Sequence, residues 1–207
     1  MAEPSNKMKL RTSSTTPYGR KVMLVAHELK LVDKIEMIAP IRDNWVQGIA
    51  PENPLGKVPS LTTADGMVLY DSIVICEYLN DMAQGKLFPA SSPAKYRALR
   101  LHALADGLLE AAVAQRIETH MRPTNLQWAD FLTLQRNKVQ GSLKAAEQEV
   151  KHFSKVPTIG EFSLAAALGY IDFRFPTDNW HKDYAKLNAW YQEFSKRPSM
   201  LATIPKD

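Results

Sequence analysis

Hydrophobic and polar positions change rhythm near residue 85. Before it, apolar residues come in short runs. Lys9 and Leu10 begin an apolar segment that stops at four consecutive hydroxyl residues, Ser13 to Thr16, and Pro17 then suits the first turn of a helix. Val22, Leu24, Val25 and Leu29 give that helix an apolar face. Apolar residues at alternate positions 35, 37, 39 and 41 predict a strand over Ile35 to Ile41. In and after the stretch NPLGKVPSL, Val58 to Leu61 reads as a strand and Met67 to Tyr70 as its hairpin partner, with Ala64-Asp65-Gly66 making the turn. Asp71-Ser72 then opens a helix over Ile73 to Met82, with Ser72 as its N-cap. The order is strand, helix, strand, linker, strand, strand, helix.

After the turn-forming stretch QGKLFPASSP, the period becomes helical. Arg97 to Arg122 predicts a long helix, stopped by Pro123 and weakened at Gly107, which is about 1 kcal/mol less favourable there than alanine. Trp128, Leu132, Gln135, Val139, Leu143, Ala146, Val150 and Phe153 recur at spacings of three and four, so the next helix buries a single stripe. Thr158 and Glu161 have the spacing of a capping box ahead of the apolar run Leu164 to Ile171, which marks them as stabilising residues. A last helix, Tyr184 to Lys196, ends before Pro198. The two rhythms predict an α/β domain over residues 8–84, a linker over 85–92 and an all-helical domain over 93–207.

Composition narrows the classes. With 45% apolar and 23% charged residues, a chain of 207 residues is that of a globular protein and not a disordered one. Its net charge of +4 comes from scattered basic residues, with no basic stripe alternating with aromatics, so nucleic acid is not expected as a partner. No apolar run approaches the length of a membrane span. A single cysteine, Cys76, forbids an internal disulfide and fits a reducing compartment, and MAEPSNK lacks the apolar core of a secretory signal. The expected location is cytoplasmic. Five dispersed histidines give no ligand spacing, so no metal site is expected.

Six stretches together resemble the bacterial cytosolic glutathione transferases: SSTTPYGRKV, NPLGKVPSL, LYDSIVICEYL, ADGLLEA, TIGEFSLAAALGYIDFR and AWYQEFSKRPSM. They fall in the family's order and span nearly the whole chain. The resemblance implies a thioredoxin-like N-terminal domain, a helical-bundle C-terminal domain, and glutathione as co-substrate. It places the thiol-activating hydroxyl in the Ser13–Thr16 loop. Thr16, directly before Pro17-Tyr18, is the leading candidate, and Ser13 is the second. It further implies that Pro59 is a cis-proline, that Val58 pairs with the glutathione backbone and that Lys57 lies near the glycyl carboxylate. Asp71 and Ser72 would hold the γ-glutamyl ammonium and carboxylate. Asp106 would reach the partner subunit's glutathione in a homodimer, or else satisfy polar groups near a Gly107 packing contact. Tyr18, Trp45, Gln115 and Arg116 are candidates for the site of a hydrophobic electrophile.

The chemistry explains why hydroxyls belong in such a loop. A thiol with a pKa of about 8.5 is only a few per cent thiolate at neutral pH, and the thiolate is the nucleophile. A hydroxyl donor favours the charged form, and the positive end of the helix dipole adds to it. No cysteine lies in the loop, which disfavours a mixed-disulfide route through the protein. Three functions stay open from these residues: conjugation, glutathione-dependent isomerisation or peroxide reduction, and a non-enzymatic binding module like the stringent starvation proteins. Retention of Lys57, Val58, Pro59, Asp71 and Ser72 argues against the third.

Overall fold

The alternation along Met8–Arg11 sends Met8 and Leu10 into the interior, and this strand, β1, becomes the centre of the first unit's sheet. A computed structural model describes residues 7–40 and 48–206. The chain divides into two compact units, residues 1–88 with 198–207, and residues 89–197.

In the first unit β1 is followed by α1 (Pro17–Glu28), a short 3-10 turn (Val32–Lys34) and β2 (Ile35–Ile38). Then come β3 (Ser60–Thr62), β4 (Val68–Leu69) and α2 (Ser72–Met82). The strands lie in the order β2-β1-β3-β4. β1 is parallel to β2 and antiparallel to β3, and β3 is antiparallel to β4. Helix α1 buries Val22, Leu24, Val25 and Ala26 and packs beside α2. It ends where Lys30 takes a left-handed φ of 58° and the Leu31 N–H returns to the Ala26 carbonyl. The β3–β4 turn closes with Thr63 N–H on Met67 O and Gly66 at φ 92°, a conformation that glycine adopts without Cβ strain.

Two expectations for this unit are corrected. The alternation over 35–41 put Met37 inside, but Met37 is 51% exposed: β2 is an edge strand, with packing on fewer sides. Residues 198–207, expected in the helical domain, belong to the first unit. Pro198 starts a further short helix, Pro198–Ala202, which packs on α1. Arg20 of α1 donates to the Met200 carbonyl and the Thr203 hydroxyl (both 3.4 Å), and Ser199 Oγ donates to Glu28 Oε1 at 2.6 Å. Those polar anchors carry no hydrophobic period, so the pattern of the sequence did not reveal them.

The second unit is helical: α3 (Ala94–His120), α4 (Ala129–Glu149), α5 (Ile159–Arg174), α6 (Trp180–Asp183) and α7 (Ala185–Phe194). The C-terminal Pro198–Ala202 helix is numbered α8. Helix α5 is buried from Ile159 to Ile171 and packs on α3. The approach is close at Gly160, where a Cβ would stand 2.7 Å from the Ala98 carbonyl oxygen. The capping box forms as expected: the Gly160 N–H donates to Thr158 Oγ1, and Glu161 accepts from the Thr158 N–H. The stripe of α4 is buried from Leu132 to Ala146, but its expected first member, Trp128, is 63% exposed. Trp128 precedes the helix, its N–H held by Glu118 Oε1 at 2.8 Å and its ring stacked on Phe131. No helix among the described residues is long and apolar enough to cross a membrane.

Candidate functional site

Strand register alone brings three segments to one end of the first unit's sheet. Arg11, the last residue of β1, pairs with Ser60, the first of β3, and Leu61 pairs with Leu69, the last of β4. The hydroxyl loop leaving β1, the Lys57-Val58-Pro59 segment entering β3, and the Asp71-Ser72 start of α2 therefore meet at that end. The N-termini of α1 and α2 begin there too, with the positive ends of their helix dipoles. The Val58–Pro59 peptide bond is cis.

Within the hydroxyl loop the four side chains are occupied differently. Ser13 Oγ and Thr15 Oγ1 lie 3.3 Å apart, in hydrogen-bond contact. Ser14 Oγ donates to the Lys206 carbonyl at 2.8 Å. Thr16 is the N-cap residue of α1, with extended backbone (φ −84°, ψ 124°), yet its hydroxyl makes no capping bond. Its methyl is placed by Gly19, where an added Cβ would lie 2.8 Å from Thr16 Cγ2 and 1.8 Å from Thr12 Oγ1. Glycine at 19 thus lets the first turn of α1 close against Thr12 and Thr16. Thr12 is buried, and its hydroxyl has no hydrogen-bond partner among the described residues. Tyr18 is half-buried, its ring centroid 5.7 Å from Nζ of the buried Lys21.

The segment entering β3 is organised by a residue that sequence reasoning passed over. Asn53 is buried: its Nδ2 donates to the Lys57 carbonyl at 2.8 Å, and its Oδ1 accepts from the Leu55 N–H at 3.0 Å. Gly56 takes φ 61° as the turn closes on the Asn53 carbonyl. An asparagine that opens a proline- and glycine-bearing turn is the signal that could have revealed it. Lys57 itself is exposed, and Val58 is half-buried.

At the start of α2 the expected cap is corrected. Asp71 is the N-cap, accepting from the Ile73 N–H at 3.2 Å, and Ser72 is the first helical residue, 2% exposed. The physical reason is reach: Asp71 is extended, and its carboxylate arrives at the N–H two residues on. Cys76 is buried within α2.

The remaining candidates lie elsewhere. Asp106, Gln115 and Arg116 are on α3 in the second unit. Asp106 Oδ2 stands 3.4 Å from His102 Nε2, and His102 Nδ1 is 2.9 Å from Ser163 Oγ, which donates to the Ile159 carbonyl. The expected packing contact at Gly107 is absent among the described residues: an added Cβ there meets nothing within 4 Å. His102 was weighed in the sequence only as a metal ligand, so its pairing with Asp106 was missed. Gln115 is buried. Arg116 is half-buried near Tyr170 of α5, whose phenol burial pushes up, against the opposing charges of Arg174 and Arg116. Trp45 lies outside the described residues. Among the described residues there is no cluster of three or more His, Cys, Asp and Glu that could hold a metal ion.

Comparison with known proteins identifies the family. Residues 15–82 match the family model of the glutathione S-transferase N-terminal domain, and residues 105–193 match that of the C-terminal domain. The uncharacterized GST-like protein YibF of Escherichia coli K12 is 32% identical over 202 residues, covering 96% of this chain and 98% of that protein. A glutathione transferase family member from Pseudomonas fluorescens Pf-5, solved with bound glutathione, is similar at a TM-score of 0.93 and 38% identity, over 97% of this chain and 100% of that one. A structure of a P. fluorescens Pf-5 family member with bound S-(propanoic acid)-glutathione gives 0.88 and 40% over the same shares. A glutathione S-transferase from Methylobacillus flagellatus with glutathione bound gives 0.89 and 34%, over 97% of this chain and 100% of that one. Two family models in sequence order and relatives matched from end to end lead to one conclusion: the chain belongs to the glutathione S-transferase family.

Proposed function

We propose that this protein is a glutathione transferase, which binds glutathione at the shared end of the β1-β3-β4 sheet and activates its thiol for attack on an electrophilic carbon. The observation that carries the reading is the convergence of the hydroxyl loop, the cis Val58–Pro59 segment and the N-terminus of α2 at that end. Each offers a different part of glutathione what it needs. The backbone of Val58 gives the cysteinyl unit a strand-like edge, and Lys57 gives the glycyl carboxylate a cation. Ser72 and the N–H groups of α2 take the γ-glutamyl carboxylate, with Asp71 for the ammonium.

Thr16 is the favoured activating residue, because its hydroxyl is not spent on capping, whereas Ser13 and Thr15 bond each other. The thiol proton leaves to water, Thr16 Oγ1 donates to the thiolate, and sulfur forms a bond to carbon as the leaving group departs with the bonding pair. The relative that holds S-(propanoic acid)-glutathione holds a thioether, the bond type that attack at carbon makes, and this supports conjugation over disulfide chemistry. As a family member the chain would use Asp106 toward the partner subunit's glutathione in a homodimer, whereas the His102 contact favours the alternative that Asp106 satisfies a polar group of its own helix.

Retention on immobilised glutathione, followed by turnover of a reactive aromatic halide, tests the reading. Wild type is expected to bind and conjugate, with Ser72→Ala binding more weakly. A wild type that is not retained would leave the fold serving as a binding module without glutathione.

A further inference from the structure

The side chain of Arg11, at the end of β1, reaches two points of the connection between β2 and β3. Nη1 donates to the Ala39 carbonyl, just past β2, at 3.3 Å. Nε donates to Glu52 Oε2 at 2.7 Å and Nη2 to Glu52 Oε1, so the guanidinium grips the carboxylate with two parallel bonds. The two side chains are 13% and 31% exposed, which sets the pair apart from loose surface ion pairs. One cation thus staples residue 39 to residue 52.

Beyond Glu52 the path runs on without a gap. The Glu52 and Asn53 N–H groups both donate to the carbonyl of buried Ile49. Asn53 then holds the Lys57 carbonyl, and Val58–Pro59 follows. In the other direction Arg11 is followed directly by Thr12 and the hydroxyl loop. Sheet pairing already fixes Arg11 against Ser60, but it does not fix residues 52–59, which lie outside the ladder.

We propose that the Arg11–Glu52 pair is a positioning clamp that sets the spacing between the hydroxyl loop and the Lys57–Pro59 edge, and so the affinity for glutathione. The clamp rests on the glutathione-binding reading above. Neither residue touches the reacting sulfur: both act through the chain segments they hold. Binding geometry depends on the clamp first, and thiol activation to a lesser degree, because the bound sulfur must also meet the loop hydroxyl.

The test is calorimetric titration of glutathione into wild type, Arg11→Met, Glu52→Gln, the double variant and Arg11→Lys, with steady-state kinetics on each. The single variants are expected to raise the glutathione Kd and KM by about tenfold, with a smaller fall in kcat at saturating glutathione. The double variant should be no worse than the larger single, since each residue acts through the other. Arg11→Lys should fall in between, keeping the charge without the fork. Glu52→Gln retains an acceptor and guards against a variant that fails to fold. Unchanged Kd in folded single variants, or a loss confined to kcat, would overturn the clamp while leaving glutathione binding intact. A wild type that does not bind glutathione would overturn both.

Discussion

Thr16→Val removes one oxygen and keeps the outline of the side chain. Valine retains the methyl that packs toward Gly19, and its β-branched shape suits the extended backbone at residue 16. Because the Thr16 hydroxyl caps nothing, the usual N-cap loss of about 0.5–2 kcal/mol is not incurred, and the melting temperature should stay within about a degree of wild type. The effect falls on the ligand instead. A hydrogen bond to a charged sulfur contributes about 1.5–3 kcal/mol, which at 1.36 kcal/mol per unit lowers the thiol pKa by about one to two units. Ultraviolet difference titration of bound glutathione reads this directly as thiolate absorbance against pH. Wild type should show a thiol pKa below the free value of about 8.5, and Thr16→Val should restore most of the difference. A thiol pKa in the variant as low as that of wild type would pass the role to Ser13. A marked fall in melting temperature would refute the structural argument, since it would mean that the hydroxyl does cap α1.

Three further outcomes follow from the packing and the charges. Gly19→Ala would place a Cβ 1.8 Å from Thr12 Oγ1, so the loop must shift; overpacking of about 1–3 kcal/mol is expected in urea unfolding, with weaker turnover, and a stability equal to wild type would show that Thr12 moves freely. Glu161→Ala strips the Ser154 N–H, the Thr158 N–H and the Thr158 hydroxyl of their shared acceptor, and should cost about 2–4 kcal/mol without altering the thiol pKa. Arg11 holds the Glu52 carboxyl below the usual range, mainly through its hydrogen bonds and against some desolvation. A carboxylate depressed in the folded state stabilises above its unfolded pKa of about 4.3 and loses that contribution as pH falls through the folded value, so the acid limb of stability should be shallower in Glu52→Gln than in wild type.

What could be read ahead of the structure was whatever hydrophobic period or local capping chemistry controls. The buried faces of α1, α4 and α5 and the Thr158–Glu161 box follow from spacing alone, because an apolar stripe has one way to be buried. Met37 and Trp128 broke the pattern for opposite reasons. Met37 sits in an edge strand, whereas Trp128 precedes its helix and is held by a backbone bond to Glu118. At the site, the hydroxyl run and the Asp71-Ser72 pair were legible as chemistry, but which of the two caps α2 depended on backbone angles that sequence does not display. Arg11, Glu52, Asn53 and His102 were not legible. Their partners lie between 2 and 61 residues away and join by hydrogen bonds, which leave no periodic trace.

The attachment of residues 198–206 to α1 and to Ser14 has a consequence for how the protein comes into being. Topologically, the helical unit is an insertion within the first unit, whose last part follows it in the chain. During synthesis at roughly 5–20 residues per second, the hydroxyl loop and α1 wait about 9 to 35 s for Ser199, Thr203 and the Lys206 carbonyl to be made. In that interval Arg20 and Glu28 lack these native partners. A nascent chain stalled after residue 197 should therefore present a first unit more open to protease at α1 than the released protein does.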